Sequence, residues 1–264
     1  MPRIATNGLE LEYETFGKAK APPMLLIMGL GAQMILWDEA FCESLAQRGY
    51  RVIRFDNRDV GLSTKLEHAG QPNVANALAE MARGGPLSSA YTLQDMADDT
   101  AGLLEALGID AAHVVGASMG GMIAQTLAIR HPQRVRTLTS IMSTTGDPSL
   151  PPATPAAMRV LMTPAPTQRA AYIEHHVEVS RVIGSPGFPF DTEAVRERGA
   201  RLFDRGVFPA GIARQLVAIL ASGSRKPALS SVDAPTLVIH GTADPLVPIA
   251  AGRDTARAVP GAEL

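Results

Sequence analysis

The sequence predicts an α/β fold: a mostly parallel, doubly wound sheet with helices on both faces and an inserted helical cap. Short, continuous apolar runs, typical of strands buried on both faces, alternate with longer segments whose apolar residues recur at helical spacing. This alternation stops over residues 147–231, where proline-rich turns and helical patterns occur without a strand pattern. We therefore expect an α/β core formed by residues 1–146 and 232–264, and a cap formed by residues 147–231.

Each predicted element follows from its own pattern. Residues 9–16 alternate apolar and polar side chains, as in a half-exposed antiparallel strand. Buried runs predict further strands at residues 24–28, 51–55, 113–115, 135–142 and 235–240. Helical spacing predicts helices at residues 37–47, 93–107, 119–130 and 248–259 in the core, and near residues 167–182, 192–203 and 210–222 in the cap. Residues 67–89 are polar and irregular, with room for one short helix.

Composition narrows the class of protein. Apolar residues make up 46% of the 264 residues and charged residues 19%, as in a soluble globular protein. The net charge of −2 gives no reason to expect nucleic acid or an anionic membrane as a partner. Cys42 is the only cysteine, which excludes a disulfide framework and a zinc–cysteine cluster. Because residues 1–17 lack a signal-peptide pattern and no apolar run approaches a membrane span, we expect a cytoplasmic location.

The strongest chemical signal is the G-x-S-x-G pentapeptide Gly116-Ala117-Ser118-Met119-Gly120. It lies between a predicted strand and a predicted helix, so the serine falls at a sharp turn that exposes its hydroxyl at the end of the strand. Small flanking residues let the two backbones approach, and the start of the helix directs N–H groups toward developing negative charge. The pattern predicts a nucleophile elbow built on Ser118. The alternative is an ordinary glycine-rich turn in which Ser118 caps the helix.

Four landmarks occur in the order found in one family. They are the Gly29-Leu30-Gly31 turn after a buried strand, Asp56-Asn57-Arg58 with Gly61 and Ser63, the serine elbow, and His240-Gly241-Thr242-Ala243-Asp244. Together they resemble the α/β-hydrolase superfamily over essentially the whole chain, with residues 147–231 in the position of the family's cap. Within it, Met28 before the first turn and the segment D-N-R-D-V-G-L-S-T are most similar to the aclacinomycin methylesterase-type serine ester hydrolases.

The resemblance implies a serine hydrolase that cleaves a small or medium carboxylic ester, such as a methyl ester, through an acyl-enzyme on Ser118. The N–H of Met119, the residue after the nucleophile, and by resemblance the N–H of Leu30 are the expected oxyanion-hole donors. Asp244 occupies the family position of the catalytic acid, and Asp147, after the preceding strand, is a rival. Either aspartate could instead form a turn within its own loop. Asp56, Arg58 and His240 are expected to fix loops rather than contact substrate.

The family order of serine, acid and histidine is incomplete here. Only 20 residues follow Asp244 (264 − 244), and all six histidines precede it. Without a base Ser118 is a weak nucleophile, since loss of the histidine in a comparable triad costs about 10⁶-fold in kcat. We expect that the sequence stops before a final strand and helix rather than that the base was lost in evolution. Strand 235–240 would then be an unpaired edge that could support a homodimer.

Several functions remain open on this sequence. Lactonases, carbon–carbon bond hydrolases and perhydrolases use the same serine machinery, and a base supplied by His175 or His176 of the cap is conceivable. A non-catalytic binding protein, which keeps the pocket but lacks the base, is the alternative from a different class. No metal or cofactor is expected. The Gly29-Leu30-Gly31 turn is not interpreted as a dinucleotide site, because it lacks the third glycine and the downstream acid of that fingerprint. The expected partner is a small-molecule ester.

Overall fold

The computed structural model describes residues 2–264. Within them the strands are β1 (Arg3–Thr6), β2 (Leu9–Phe16), β3 (Pro23–Ile27), β4 (Arg51–Phe55), β5 (Ala112–Ala117), β6 (Val135–Ile141) and β7 (Thr236–Ile239). They form one sheet in the order β1-β2-β4-β3-β5-β6-β7. The pairs β1–β2 and β2–β4 are antiparallel, and all pairs from β4 through β7 are parallel. The predicted mostly parallel sheet is confirmed.

The helices surround this sheet. In chain order they are α1 (Glu39–Gln47), α2 (Val74–Ala82), α3 (Leu93–Ala106), α4 (Met119–Arg130), α5 (Pro155–Met162), α6 (Arg169–Ile183), α7 (Thr192–Arg205), α8 (Pro209–Ser222), α9 (Lys226–Leu229) and α10 (Ile249–Ala258). Residues 147–231, all of them described, contain helices α5 to α9 and no strand. We call this segment the helical insertion.

Both faces of the sheet are covered near its centre, as the buried runs predict. In β3, Leu25 and Ile27 pack with α3 and α4 on one face. Leu26 and Met28 lie on the other face, in a cluster with Trp37 and residues of α1 and β4. The alternation follows from the two-residue period of a strand. Each of these buried apolar side chains contributes about 2 kcal/mol to folding, which makes β3 a rigid base for the turn that follows it.

Strand β7 lies at the edge of the described sheet, the position expected for residues 235–240 if no further strand follows. Its apolar run alone predicts burial on both faces, but Leu237 is 42% and Ile239 46% exposed. These side chains are exposed because β7 is the last strand of the described sheet and has a neighbouring strand, β6, on one side only. Glu263 lies along the other side, donating its N–H to Thr236 O at 3.0 Å and accepting from Val238 N–H at 2.7 Å.

Candidate active site

Ser118 lies at the junction of β5 and α4 in a strained conformation. Its φ is 56° and its ψ is −120°, a backbone geometry that non-glycine residues rarely adopt. The Ser118 N–H donates to Ile141 O of the neighbouring strand at 2.9 Å. Its carbonyl accepts from the Gly121 and Met122 N–H groups at 2.9 and 3.2 Å and from the Ser143 hydroxyl at 2.8 Å. These hydrogen bonds hold the strained residue in place.

The glycines of the pentapeptide are required by the close approach of the backbones. A Cβ atom on Gly116 would lie 2.1 Å from Gly120 O, and a Cβ atom on Gly120 would lie 2.1 Å from Ile27 O. Real Cβ atoms essentially never approach backbone so closely, and neither contact can be relieved by a side-chain rotation. The G-x-S-x-G pattern therefore reflects a sharp strand-to-helix turn, as expected from the sequence.

The Gly29-Leu30-Gly31 turn, which follows β3, lies against Ser118. A Cβ atom on Gly29 would be 3.1 Å from the Ser118 Cβ atom and 3.6 Å from its Oγ atom. Ala32 N–H closes the turn by donating to Gly29 O at 3.2 Å, and Gly31 has a φ of 63°, which favours glycine. In residues 2–264, neither the Leu30 N–H nor the Met119 N–H donates to a protein group. Met119 follows the serine in the sequence, and Leu30 belongs to the turn that lies against it, so both elements carry a backbone donor without a protein partner.

Asp244 follows β7 and accepts two backbone hydrogen bonds within its own loop. Its Oδ1 atom accepts from the Leu246 and Val247 N–H groups, both at 2.9 Å. Its Oδ2 atom lies 3.7 Å from His240 Nε2, which donates to Val247 O at 2.6 Å. The His240 side chain is fully buried and connects the start of this loop to its end. These bonds suit both the expected acid and the alternative of a loop-forming aspartate.

Asp147, the rival acid, is engaged elsewhere. Lys226 Nζ lies 2.7 Å from its Oδ2 atom, and Ser149 donates to Oδ1 from both its N–H and its hydroxyl. The hydrogen bond from Lys226, followed by those from Ser149, lowers the pKa of Asp147 to about 2. Lys226 also pairs with Asp254 at 2.6 Å. Asp147 is therefore committed to an ion-pair network that links the helical insertion to α10.

Ser118 and Asp244 are brought to the same edge of the sheet, and no hydrogen bond joins them. They follow β5 and β7, which are separated by β6 in a parallel arrangement, so the carboxyl ends of all three strands share that edge. No hydrogen bond joins a histidine to Ser118 in the described part of the chain. His113 pairs with Thr137, His131 pairs with Asp98, and His68 is exposed. The site as described thus contains a nucleophile candidate that is not hydrogen-bonded to a histidine.

Asp56 and Arg58 fix loops, as predicted. Buried Asp56 accepts from the Met34 N–H at 2.7 Å and the Leu62 N–H at 2.9 Å, and lies 3.0 Å from an Arg205 nitrogen. The Arg58 guanidinium binds both carboxylate oxygens of Asp99 at 2.6 Å. Both residues hold the segment after β4 rather than line a cavity.

A cavity of about 640 Å³ lies between the core and the helical insertion. Leu30 and Gly31 of the turn line it together with residues 71–74 and side chains of α5, α6 and α8. Ser118 and Asp244 are not among the lining residues, and of the site residues described above the cavity touches Leu30 and Gly31 of the turn. Its lining is mainly apolar, with Tyr172, His175 and His176 as ring-bearing polar residues. Burial lowers the pKa of His176 to about 4 and also lowers the pKa of His175, so both are neutral at pH 7.

Sequence patterns missed the residues that join the helical insertion to this site. Arg205, Arg214 and Gln215 bind the segments after β3 and β4, although they lie more than 140 residues further along the chain. No local motif marks such contacts. The same holds for Ser143, whose role in supporting Ser118 depends on the pairing of β5 with β6.

A strained serine at a strand–helix junction, a parallel sheet and a helical insertion after β6 define the α/β-hydrolase class. The model of the alpha/beta hydrolase fold matches residues 22–181, more than half of the chain. The chain therefore belongs to the α/β-hydrolase family, as the sequence landmarks predicted.

Similar proteins agree with this assignment. Rhodomycin D methylesterase DnrP from Streptomyces peucetius is 30% identical over 283 residues, covering 99% of this chain and 89% of the relative. The enol-lactonase from Burkholderia xenovorans LB400 is 25% identical, with a TM-score of 0.74 and coverage of 99% of this chain and 89% of that one. The meta-cleavage product hydrolase from Pseudomonas fluorescens IP01, 20% identical with a TM-score of 0.74 over 100% of this chain and 88% of that one, shows the fold alone. The methylesterase relative agrees with the predicted subgroup.

The helices of residues 2–264 include none with the length and apolar character needed to cross a bilayer.

Proposed function

We propose that the chain is a carboxylic ester hydrolase that forms an acyl-enzyme on Ser118. The observation that carries this proposal is the strained Ser118 backbone beside the Gly29-Leu30-Gly31 turn, with the N–H groups of Leu30 and Met119 left without protein partners. A polar backbone donor beside a nucleophile and without a partner is suited to a negative charge that forms only during reaction. The similarity to a methylesterase supports an ester as substrate.

In the proposed reaction the Ser118 oxygen attacks the ester carbonyl carbon and loses its proton to a base. The carbonyl electron pair moves to the oxygen, which the Leu30 and Met119 N–H groups stabilise. Collapse of this intermediate breaks the bond between the carbonyl carbon and the alcohol oxygen, which takes the proton back from the base and leaves as the alcohol. Water then attacks the acyl-enzyme by the same steps, which releases the carboxylic acid and restores the Ser118 hydroxyl. Asp244 is the proposed acid that would orient the base. No histidine is hydrogen-bonded to Ser118 in residues 2–264, so the base is not assigned to a residue.

The substrate is proposed to enter beneath the helical insertion, which would act as a cap over the core. The apolar lining of the cavity favours an acyl or alcohol group with substantial apolar surface. A methyl ester is the first choice because of the rhodomycin D methylesterase relatives. A lactone is the second, because the enol-lactonase has the same fold at 25% identity over 99% of this chain.

Hydrolysis of p-nitrophenyl acetate, a methyl ester and a lactone by the wild type and by Ser118→Ala tests the proposal. We expect a wild-type rate above that of the variant, with fluorophosphonate labelling of wild type only. Circular dichroism confirms that both are folded. Equal rates and no labelling would contradict the hydrolase assignment and favour a binding protein built on the same scaffold.

A further inference from the structure

Helix α8 contacts the Gly29-Leu30-Gly31 turn through two side chains that lie one helical turn apart. Gln215 Oε1 accepts a hydrogen bond from the Gly31 N–H at 2.8 Å, and the glutamine is fully buried. Ile212 packs against the same glycine, where a Cβ atom would lie 2.9 Å from the Ile212 Cγ1 atom. We propose that Gln215 is a positioning residue that sets the geometry of the Gly29-Leu30-Gly31 turn, which we call the oxyanion turn. This inference rests on the proposed function.

The second hydrogen bond of Gln215 explains why its oxygen is fixed. Gln215 Nε2 donates to Arg58 O at 2.8 Å, and the Arg58 side chain is held by Asp99. The amide therefore spans the loops after β3 and β4, with one donor and one acceptor used. At neutral pH, glutamine is the side chain of this length that offers both a donor and an acceptor at its end. Its orientation is determined by the network, because a flipped amide would face a donor with a donor and an acceptor with an acceptor.

The bond to Gly31 controls the peptide plane that follows Leu30. In a four-residue turn the central peptide can rotate between alternative turn types, and a φ of 63° at Gly31 belongs to the types that require glycine at the third position. Gln215 accepts from the N–H of this central peptide and so favours one orientation. That central peptide holds the Leu30 carbonyl and the Gly31 N–H, whereas the Leu30 N–H belongs to the preceding Gly29–Leu30 peptide. The two peptides meet at the Leu30 Cα atom, so fixing the Gly31 N–H restrains the backbone that carries the Leu30 N–H, and loss of the bond would loosen the position of this donor relative to Ser118.

The test compares Gln215→Leu and Gln215→Glu with a control on the same helix, Ser222→Ala. Ser222 Oγ accepts from the Leu93 N–H at 2.9 Å, so the control removes a contact between α8 and the core without touching the turn. Two quantities are measured: the second-order rate constant for fluorophosphonate labelling of Ser118, and the hydrogen exchange rate of the Gly31 amide by NMR.

We expect Gln215→Leu to slow labelling by about 10-fold or more, since loss of one oxyanion donor costs 10²–10³ in rate. The Gly31 amide should exchange faster, and Ser222→Ala should change neither quantity by more than about twofold. The pH dependence of labelling in Gln215→Glu distinguishes a hydrogen-bonding role from a packing role. A protonated carboxyl group can accept from Gly31 and donate to Arg58, so its labelling rate relative to wild type should recover as pH falls, whereas that of the leucine variant should not.

A Gln215→Leu labelling rate within about twofold of wild type would overturn the inference whatever the exchange rates show. If Gln215→Leu does not fold, the pH profile of Gln215→Glu decides, and a profile parallel to wild type overturns it. If the wild type labels no faster than Ser118→Ala, the proposed function fails, and exchange alone decides: unchanged Gly31 exchange in the Gln215 variants overturns the positioning role, while faster exchange supports it.

Discussion

Arg214 and Asp59 form a buried ion pair between α8 and the segment after β4. Replacing Arg214 with methionine is expected to lower the free energy of unfolding. The guanidinium donates to both carboxylate oxygens at 2.8 Å, and the two side chains are 2% and 0% exposed. Asp59 also accepts from the Tyr91 hydroxyl and the Leu66 N–H, both at 2.8 Å. Arg214→Met keeps most of the apolar stem and leaves the buried carboxylate with these two donors only.

The size of this loss in unfolding free energy depends on the partners that Asp59 keeps in the variant. Removing one partner of a buried ion pair costs 3–5 kcal/mol, because the other charge stays desolvated. The two surviving hydrogen bonds place the expected loss at the lower end, about 3 kcal/mol at pH 7. Burial alone raises the pKa of Asp59, but the hydrogen bonds from Arg214, Leu66 and Tyr91 outweigh it and hold the pKa below its ordinary value.

Loss of Arg214 therefore raises the pKa of Asp59. Wild type keeps the stabilisation from Asp59 above the pKa of the unfolded chain and loses it as pH falls through the lower folded value. In the variant, protonation at a higher pH relieves the unpaired charge. The free-energy difference between the two proteins should be largest near neutral pH and shrink as the solution is acidified.

Urea unfolding across pH measures this difference, with Arg169→Met as a matched control. Arg169 binds Asp204 with the same two-bond geometry, at 2.8 and 2.9 Å, but the two side chains are 52% and 57% exposed. The control should leave the unfolding midpoint nearly unchanged. A loss for Arg214→Met no greater than that of the control, or a difference independent of pH, would refute the reasoning.

Two further predictions concern the elbow and the cavity. Gly120→Ala should destabilise the fold by about 2 kcal/mol or more and abolish fluorophosphonate labelling, because its Cβ would lie 2.1 Å from Ile27 O. Thermal unfolding measures the loss of stability. The control Gly241→Ala, where the Cβ atom has open space, should leave both the unfolding temperature and the labelling unchanged. Burial, Arg198 and His175 lower the pKa of His176 to about 4. Because the unfolded chain takes up this proton near pH 6.5, stability should fall as pH decreases from about 6.5 to about 4, and His176→Phe should flatten that fall in urea unfolding.

Elements whose pattern is set by neighbouring residues in the sequence were predicted well, and elements without such a pattern were missed. The bounds of β4 and α4 agree with their patterns to the residue, because a continuous apolar run and a strand–turn–helix motif are set by neighbours in sequence. The short β1 was missed because four half-exposed residues give no periodic signal. Helix α5 was missed because proline marks its surroundings, although Pro155 occupies the first turn, where its missing N–H costs nothing.

The candidate site also has a part that local motifs predict and a part that only the fold brings together. Ser118, Leu30, Met119 and Asp244 belong to motifs of a few residues, and the sequence was sufficient to propose them. The cavity could not be predicted, because its wall is assembled from the core turn, residues 71–74 and three helices of the insertion. Nothing in the local pattern of α8 indicates that Gln215 meets Gly31, 184 positions earlier in the chain.

Helix α8 connects these two parts of the site. Ile212 both lines the cavity and packs on Gly31, while the next turn of the helix carries Arg214 to Asp59 and Gln215 to the Gly31 N–H. Substitutions that reshape the cavity wall at Ile212 therefore act on the turn beside Ser118 as well. It follows that the shape of the cavity and the position of the Gly29-Leu30-Gly31 turn are not independent properties of this protein. An insertion attached only by surface contacts would leave the turn free to vary, whereas buried, oriented contacts fix both together.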